Sequence, residues 1–582
     1  MKNHKFLLIL MVFIFTIISC DFDADEYLDR YPLDAITDAD FWKTSTDLEL
    51  YVNQFYTMLP DFGSWGIGYL EEDKRSDNMV HDPPDNRLAG LNLITTNNEQ
   101  WNFNRLRGIN LMLANAYRVD APRTQIDPYV GEALFFRAYF YFNLVKTYGD
   151  VPWIGKPITT TDTEYLYMDR SPRSLVVGSI LSDLQLASTY LPERASAGSR
   201  INKEAALIFK SRIALYEGTW HKYHSGTDFG VQGSNGAKYL EIAANAALDL
   251  INLGTIELYS TGNPESDYES LFNSTDLSDV SEAILYRDFS QSLNTGHNVQ
   301  NRILAGHGFS NGLSKSLVES FLCTDGKPIS ISPLYEGDNT VLDEVKNRDP
   351  RLRQIMYLPG DLSHYDQSGN PVYVARAPID QTGDAKSTTG YVLRKGRDFS
   401  HIGSQHYASE TQYVYFRYAE ALLNYAEAKA ELGTVTQGDI DLSINKIRSR
   451  AGMPNLVIAN IPADPNWEFP DLSPVINEIR RERRVELACE GYRADDLFRW
   501  RAHHLIVGKR PKGAKFDPIL YPEPGLQPGA GLIFTDGDGY IDYYQILLPN
   551  GWGFSPDRDY LYAIPPLQIT LNNNLSQNPG WN

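Results

Sequence analysis

The sequence predicts a mainly α-helical protein, in which a superhelix of tetratricopeptide-like helix pairs supports a loop-rich, irregular body with a few short strands. Two observations lead to this prediction. Segments with helical periodicity recur as pairs of about 34 residues, with alanines where paired helices would cross. The segments between the pairs are dense in Gly, Pro, Asn and Asp, which interrupt regular structure. We therefore expect a repeat scaffold with an irregular body inserted into it and appended to it.

Helical periodicity is found towards both ends of the chain. The first helical segment, about 40–58, is amphipathic. The 129–148 segment is apolar nearly all round and ends at Gly149, with Pro152 beyond it. Because such a helix needs neighbours on more than one side, we expect it to be a central helix. The other helical segments are predicted at 104–119, 174–191, 203–220, 238–251, 412–432 and 442–451, and within 475–500.

Three long segments lack helical periodicity. Residues 61–100 form a loop of nearly forty residues, and a loop of that length is usually functional or disordered. The segments 254–410 and 508–582 contain only short strand-like runs, at 283–286 and 543–548. The chain is accordingly divided into a signal peptide 1–19, a lipidated tether 20–39, an N-terminal part with helix pairs 40–253, an irregular ligand-binding body 254–410, C-terminal repeat helices 411–503 and an irregular C-terminal segment 504–582.

The N-terminus has the pattern of an export signal. Lys2 and Lys5 precede an uncharged apolar run, Phe6 to Ile18, which is too short to span a hydrocarbon core that needs about twenty residues. Ser19 and Cys20 follow directly after this run, in a context that resembles the bacterial lipobox, where the cysteine thiol is acylated. Several acyl chains on one residue anchor a protein stably to a membrane. The alternative is an ordinary secretion signal with an incidental cysteine.

Composition excludes several partners. The 53 Lys and Arg against 74 Asp and Glu give a net charge of -21, which argues against nucleic acid and against anionic lipid surfaces. The 36 Tyr and 9 Trp suit packing first and stacking on sugars second. Cys323 and Cys489 show no metal-ligand spacing, and the sequence leaves open whether they pair.

Acidic residues recur at helical spacing near the C-terminus, and they have two interpretations. Glu420, Glu427 and Glu431 share a predicted helix face with Arg417 and Asn424, and Glu482, Glu486 and Glu490 line another with Arg493. Paired carboxylates could serve a glycosidase as acid and base. Because arginines are numerous in the same segments, an internal ion-pair network that clamps the repeats is the favoured interpretation. No nucleophile, dinucleotide or metalloprotease motif is present.

The run Asp536 to Asp542 echoes part of a calcium loop, but it lacks the glutamate that would complete such a loop. A hairpin turn around Gly-Asp is the favoured interpretation, and calcium binding stays open.

A set of motifs in fixed order gives the sequence a specific resemblance. They are Glu132–Phe142, Tyr148–Pro152, Leu317–Phe321, Asp325–Lys327, Asn347–Leu352, Arg417–Ala428, Ile447–Gly452, Glu482–Leu487, Glu490–Arg493, Asp496–Trp500, Ile564–Pro565 and Gln577–Trp581. Through these motifs the chain resembles the SusD/RagB family of outer-membrane nutrient-binding lipoproteins over almost its whole length. The resemblance implies a right-handed superhelix of four tetratricopeptide-like helix pairs that supports an irregular ligand-binding body.

The same resemblance implies a function. Members of the family are surface lipoproteins that act as lids over TonB-dependent (SusC-like) outer-membrane transporters, deliver glycans or peptides to them, and are neither enzymes nor dependent on a cofactor. We therefore expect a lipid-anchored protein of the outer membrane that binds a nutrient oligosaccharide or polysaccharide. The alternatives are the same lid role for peptides, a surface glycoside hydrolase, and a structural adhesin.

The ligand site is expected where the loop after the first helix meets loops of the irregular body. Glycan recognition needs aromatic rings with nearby amide, carboxylate or guanidinium groups on loops held by a rigid scaffold. Two segments supply such residues, and the candidates are Trp65, Asp77, Asn78, His81, Asp82 and Arg87 in the first, and Phe289, His307, Phe309 and Asn311 in the second. Trp101 is expected to belong to the core instead. No catalytic or metal-binding residue is predicted.

Overall fold

The structure is a computed structural model that describes residues 41–63, 65–95, 100–194, 198–304, 310–399 and 406–581. The predicted signal peptide 1–19, the tether with Cys20, and the ligand candidates His307 and Phe309 lie outside the described residues. Within the described part of the chain, no helix is both long and apolar enough to cross a membrane.

The N-terminal part is built from helices α1 to α7, of which all but the short α4 correspond to predicted helical segments. Their bounds are Ser45–Asn53 (α1), Asn104–Asn115 (α2), Arg123–Tyr148 (α3), Thr163–Leu166 (α4), Arg173–Tyr190 (α5), Lys203–Tyr223 (α6) and Ala237–Leu253 (α7). The helix α3 begins at Arg123 rather than at 129 and ends at Tyr148. The next residue, Gly149, has a φ of 74°, which a glycine adopts without strain. The helix α6 begins after Asn202, whose side chain caps it by accepting a hydrogen bond from the Ala205 N–H at 2.8 Å.

These helices form a continuous stack. The helix α3 packs on α2 and α5, α5 packs on α6, and α6 packs on α7. The prediction that α3 is central is confirmed, because Phe135, Phe136 and Tyr141 on its different faces are all buried. Trp101, before α2, is also buried in this core, as expected.

The irregular body contains short helices and strands. Its helices are Asp267–Asn273 (α8), Val299–Leu304 (α9), Lys315–Ser320 (α10), Val341–Glu344 (α11) and Pro350–Ile355 (α12). The strands are Met79–His81 (β1), Ala283–Arg287 (β2), Asn311–Leu313 (β3), Met356–Tyr357 (β4), Leu362–Tyr365 (β5), Pro371–Tyr373 (β6), Val392–Leu393 (β7) and Tyr413–Arg417 (β8). They pair antiparallel as β1–β3, β2–β8, β4–β7 and β5–β6. A second hydrophobic core is formed largely by residues of this body.

The C-terminal part returns to helices. They are Tyr418–Glu431 (α13), Gln437–Leu442 (α14), Ile444–Arg450 (α15), Pro474–Glu486 (α16), Arg493–Arg499 (α17) and Pro566–Leu571 (α18). The helix α13 packs on α7 and α16, so it continues the stack that the N-terminal helices begin. The scaffold is thus assembled from both ends of the chain, with the body inserted between them.

Three local predictions are wrong. Residues 413–417 form the strand β8 rather than the start of a helix, so Arg417 precedes α13 and does not belong to its polar face. The 475–500 region is split into α16 and α17, because the chain turns at Cys489 and Gly491, which have φ values of 61° and 79°. The run 543–548 forms turns and contains no strand.

Other expectations are settled by local contacts. Cys323 and Cys489 are both buried free thiols. The run Asp536 to Asp542 is a hairpin turn, in which Asp536 accepts hydrogen bonds from the Asp538 and Tyr540 N–H groups at 3.1 and 3.0 Å. Asp542 is buried against Arg510, at 2.8 Å.

The predicted ion-pair network exists, and it also joins the scaffold to the body. Arg417 contacts Glu282, Glu486 and Glu490 at 2.9, 2.7 and 2.7 Å. Arg351, from the body, reaches Glu486 at 2.8 Å. The side chains of Arg417 and Glu486 are 1% and 0% exposed. These carboxylates are therefore enclosed and neutralised by arginines, which is the arrangement of a structural clamp.

Glu427 illustrates how this network couples stability to pH. It accepts hydrogen bonds from Arg499 Nη2 at 2.7 Å and from Trp500 Nε1 at 2.8 Å. Burial raises the pKa of Glu427, but the charge and hydrogen bond of Arg499, together with the charges of Arg483 and Arg480, outweigh burial and lower the pKa from 4.5 to about 2. A carboxyl group whose pKa is lower in the folded than in the unfolded state stabilises the fold at pH values above its unfolded pKa. This contribution is lost as the pH falls through the folded pKa.

We expect Glu427→Gln to melt at a lower temperature than wild type at neutral pH. The difference should shrink as the pH falls from about 5 towards about 2, because the unfolded wild type takes up a proton at Glu427 below about pH 4.5, whereas the folded protein keeps this carboxylate ionised down to about pH 2. Thermal unfolding of both proteins across this range measures the effect. A difference that stays constant with pH would show that the Glu427 charge does not stabilise the fold.

Candidate functional site

The segment that follows α1 is attached to the irregular body by aromatic contacts. The Phe62 ring lies 5.4 Å from the Phe289 ring and 4.4 Å from the His297 ring, measured between centroids. Gly68 lies so close to Tyr413 that a Cβ would come within 2.7 Å of the tyrosine ring. The loop therefore depends on a glycine here, and its attachment fixes the position of Trp65.

Trp65 belongs to a small group of exposed rings. It is 48% exposed, and its ring centroid lies 5.2 Å from that of His406 in an edge-on arrangement. The next residue, Tyr407, is 52% exposed, and its N–H donates to Asn298 Oδ1 at 2.6 Å. Aromatic rings this open on an anchored loop offer flat apolar faces to a ligand.

A second group forms at the sheet β1–β3. The pairing places His81 opposite Asn311, so two predicted candidates from distant segments are brought together. Next to them the Asp82 carboxylate accepts a hydrogen bond from the Tyr543 hydroxyl. Lys386 Nζ lies 4.8 Å from the centre of the Tyr543 ring. Burial lowers the pKa of Lys386, and the Asp82 charge offsets this only in part.

The two groups are linked by short contacts through the body. Asn298, which holds Tyr407, leads into α9, and Arg302 of α9 forms an ion pair with Asp384. Ser310 Oγ donates to the Gly383 carbonyl, next to Asp384, at 2.7 Å, and the Asp82 N–H donates to the Ser310 carbonyl at 2.8 Å.

We call the surface formed by these two groups the loop face. It comprises Trp65, His81, Asp82, Lys386, His406, Tyr407 and Tyr543.

Several predicted candidates have structural contacts instead. Asp77 is paired with Arg493 at 2.7 Å and with Arg484 at 3.3 Å. The two arginines, together with hydrogen bonding, outweigh burial and lower the pKa of Asp77. Asn78 is 1% exposed and Phe289 is 7% exposed. Their burial assigns these side chains to packing, whereas the sequence predicted ligand contact.

Asn311 is also buried, but its amide is not fully used. The Asn311 side chain is 2% exposed, and its Nδ2 has no hydrogen-bond partner among the described residues. Asn311 directly follows Ser310, which contacts the loop face. Its direct contact with a ligand therefore stays a prediction.

Arg87 is placed away from the loop face. It lines a cleft of about 1070 Å³ that is bordered by the turn 54–58 after α1, by α2, α3, α6 and α17, and by residues of the segments 72–87 and 100–102. The lining residues of this cleft include none of the loop face.

The sequence missed four members of the loop face, namely Lys386, His406, Tyr407 and Tyr543. Lys386, His406 and Tyr407 lie in a segment that was recognised only as irregular, whereas Tyr543 lies in a run that was predicted to be strand-like. These residues reach the site through contacts distant in sequence. Within the described part of the chain, no cluster of His, Cys, Asp or Glu is arranged to hold a metal ion.

The fold and the site define a class: a helical-repeat scaffold that presents a loop-built face with exposed rings. The model of the SusD family matches residues 281–581, and a second family model, described as starch-binding associating with outer membrane, matches residues 28–215. The chain therefore belongs to the SusD family.

Individual relatives agree with this assignment over nearly the whole chain. SusD-like protein P2 of Formosa agariphila is 21% identical, with 100% of both chains covered. The crystal structure of a SusD-like carbohydrate-binding protein from Bacteroides fragilis has a TM-score of 0.71 at 23% identity and covers 92% of this chain and 100% of its own. A laminarin-binding SusD-like protein has a TM-score of 0.56 at 18% identity and covers 93% of this chain and 100% of its own. These structures share the fold.

Proposed function

We propose that this protein is a surface lipoprotein that binds a nutrient glycan at the loop face and delivers it to a TonB-dependent outer-membrane transporter. The observation that carries the proposal is the exposure of Trp65 and Tyr407 around His406 on loops anchored to a rigid scaffold. Sugar rings present apolar C–H faces that pack on aromatic rings, and Asp82 and Lys386 supply polar groups for hydroxyls. Relatives described as carbohydrate-binding and laminarin-binding support the same ligand class.

Binding without catalysis is the better proposal for this chain. The carboxylates that suggested a glycosidase, such as Glu427 and Glu486, are buried and paired with arginines. A general acid or base must reach its substrate, and these groups do not reach solvent. A glycan array identifies the ligand, and peptide pools on the same array test the peptide alternative. Binding to peptides alone would contradict the glycan proposal.

The anchor follows from the predicted lipobox. We expect Cys20 to become the mature N-terminus and to carry lipid, which tethers the protein to the outer membrane. Cells labelled with a clickable fatty acid should incorporate label into the wild type, and Cys20→Ala should lose both the label and the membrane association. A variant that is still labelled and still sediments with membranes would rule out this anchor.

Delivery requires a partner, because a tethered binding protein has no route across a membrane. We expect a complex with a TonB-dependent barrel through the scaffold helices and their flanking loops, with the ligand enclosed between the two proteins. The interface should exceed the roughly 1,600 Å² of a standard protein complex, since a lid that opens must keep part of its contact. Co-purification after gentle detergent extraction tests this. If the protein elutes alone while it still binds glycan, a free-standing receptor replaces the lid proposal.

A further inference from the structure

Arg87 is held rigidly but has no carboxylate partner among the described residues. Its Nε and Nη2 donate to the Asp559 and Tyr560 carbonyls at 2.6 and 2.8 Å. Its guanidinium lies 3.8 Å from the centre of the Phe498 ring and 4.8 Å from that of Tyr562. Carbonyl dipoles and ring faces orient a guanidinium without cancelling its charge. Arg87 thus differs from arginines of the ion-pair network, such as Arg417, which contact carboxylates directly.

The cleft that Arg87 lines has an excess of positive charge, although the whole chain is strongly acidic. The charged lining residues are the cations Arg75, Arg87, Arg105 and Lys146 and the acids Glu72, Asp85 and Asp495. Four of these charges cancel in two ion pairs, since Arg75 lies 3.1 Å from Glu72 and Lys146 lies 2.7 Å from Asp495. Asp85 is engaged in part, because its Oδ1 accepts the Leu88 N–H at 3.0 Å. The remaining charged residues of the lining are two cations, Arg87 and the exposed Arg105, and one carboxylate, Asp85.

The rest of the lining suits a polyhydroxylated ligand. Side-chain amides of Gln54, Asn102, Asn104 and Asn143 border the cleft, and the rings of Tyr139 and Phe140 lie among them. Amides donate to and accept from hydroxyl groups, and rings pack on sugar faces. A volume of about 1070 Å³ is large enough for an oligosaccharide.

We propose that this cleft is a second binding site, which takes an acidic oligosaccharide and holds its carboxylate or sulfate group with Arg87 and Arg105. A guanidinium matches either anion with two parallel hydrogen bonds, so both groups share one recognition chemistry. The site includes no residue of the loop face, and it stands or falls independently of the function proposed there.

The test is a calorimetric titration of the purified protein with three probes: oligogalacturonates for the carboxylate, sulfated carrageenan oligosaccharides for the sulfate, and neutral cello-oligosaccharides of the same length. We expect at least one acidic probe to bind and the neutral probe to bind at least about tenfold more weakly. The acidic probe that binds more tightly identifies the anionic group. Raising the salt concentration should weaken the binding.

Charge reversal assigns the site. Arg105→Glu should weaken the binding of the acidic probe by at least about tenfold. Arg107→Glu is the matched control, because Arg107 is also exposed, lies on the same helix α2 and does not line this cleft; it should leave binding within about twofold of wild type. Arg87→Lys, which keeps the charge but loses the planar fork, should weaken binding as well. If neither acidic probe binds, or if Arg105→Glu and Arg107→Glu act alike, the proposal is wrong.

Discussion

Replacing Arg417 by Ala is expected to lower the free energy of unfolding by about 3–5 kcal/mol. The substitution removes the cation that Glu282, Glu486 and Glu490 share at 2.7–2.9 Å. These carboxylates are at most 7% exposed, so water cannot replace the lost guanidinium. Arg417 also donates to the Glu486 backbone carbonyl at 2.7 Å, which adds a lost hydrogen bond. The change should appear as a lower denaturant midpoint.

Arg75→Ala is the control for this measurement. Arg75 and Glu72 form an ion pair at 3.1 Å with side chains 57% and 41% exposed, and such surface pairs contribute at most about 1 kcal/mol. The account requires the Arg417 variant to lose far more stability than the Arg75 variant. Equal shifts in the two midpoints would mean that the buried network does not clamp the scaffold to the body.

Replacing Trp65 by Ala is expected to weaken glycan binding by at least about tenfold, equivalent to about 1.4 kcal/mol. The indole is the largest exposed ring of the loop face, and its truncation removes the surface on which a sugar would pack. The fold should be unaffected, because the ring is 48% exposed and its aromatic contact is made with the exposed His406.

Tyr167→Ala provides the matched comparison. Tyr167 is 53% exposed and lies at the end of α4 in the N-terminal part, outside the loop face. We expect this variant to bind the glycan as the wild type does, with an unchanged melting temperature. Loss of binding in both variants, or in neither, would contradict a glycan site at Trp65.

The scaffold could be predicted from the sequence because its signals are local. Helical periodicity places α5, α6 and α7 within a few residues, and the stop residue Gly149 places the end of α3, although α3 begins at Arg123 rather than at 129. The strand β8 was missed although Tyr413 to Phe416 are aromatic and β-branched, since their strand partner β2 lies more than a hundred residues away. The break at Cys489 was missed because a non-glycine residue with positive φ carries no clear sequence signal.

The candidate site could be predicted only in part. Segment 61–100 was correctly expected to meet the body, and His81 does lie opposite Asn311. Residue type did not distinguish exposed from buried candidates: Trp65 is open, whereas Asn78 is enclosed beside Arg484. Tyr407 and Tyr543 join the site through contacts between distant segments, which a single sequence does not encode locally.

The central claim is that the loop face binds glycan and does not cleave it. The most direct measurement titrates the protein with a glycan selected on the array and follows binding heat and new reducing ends in the same samples. We predict saturable binding that Trp65→Ala weakens, with a constant number of reducing ends over many hours. Sustained release of reducing ends by the wild type would contradict the account.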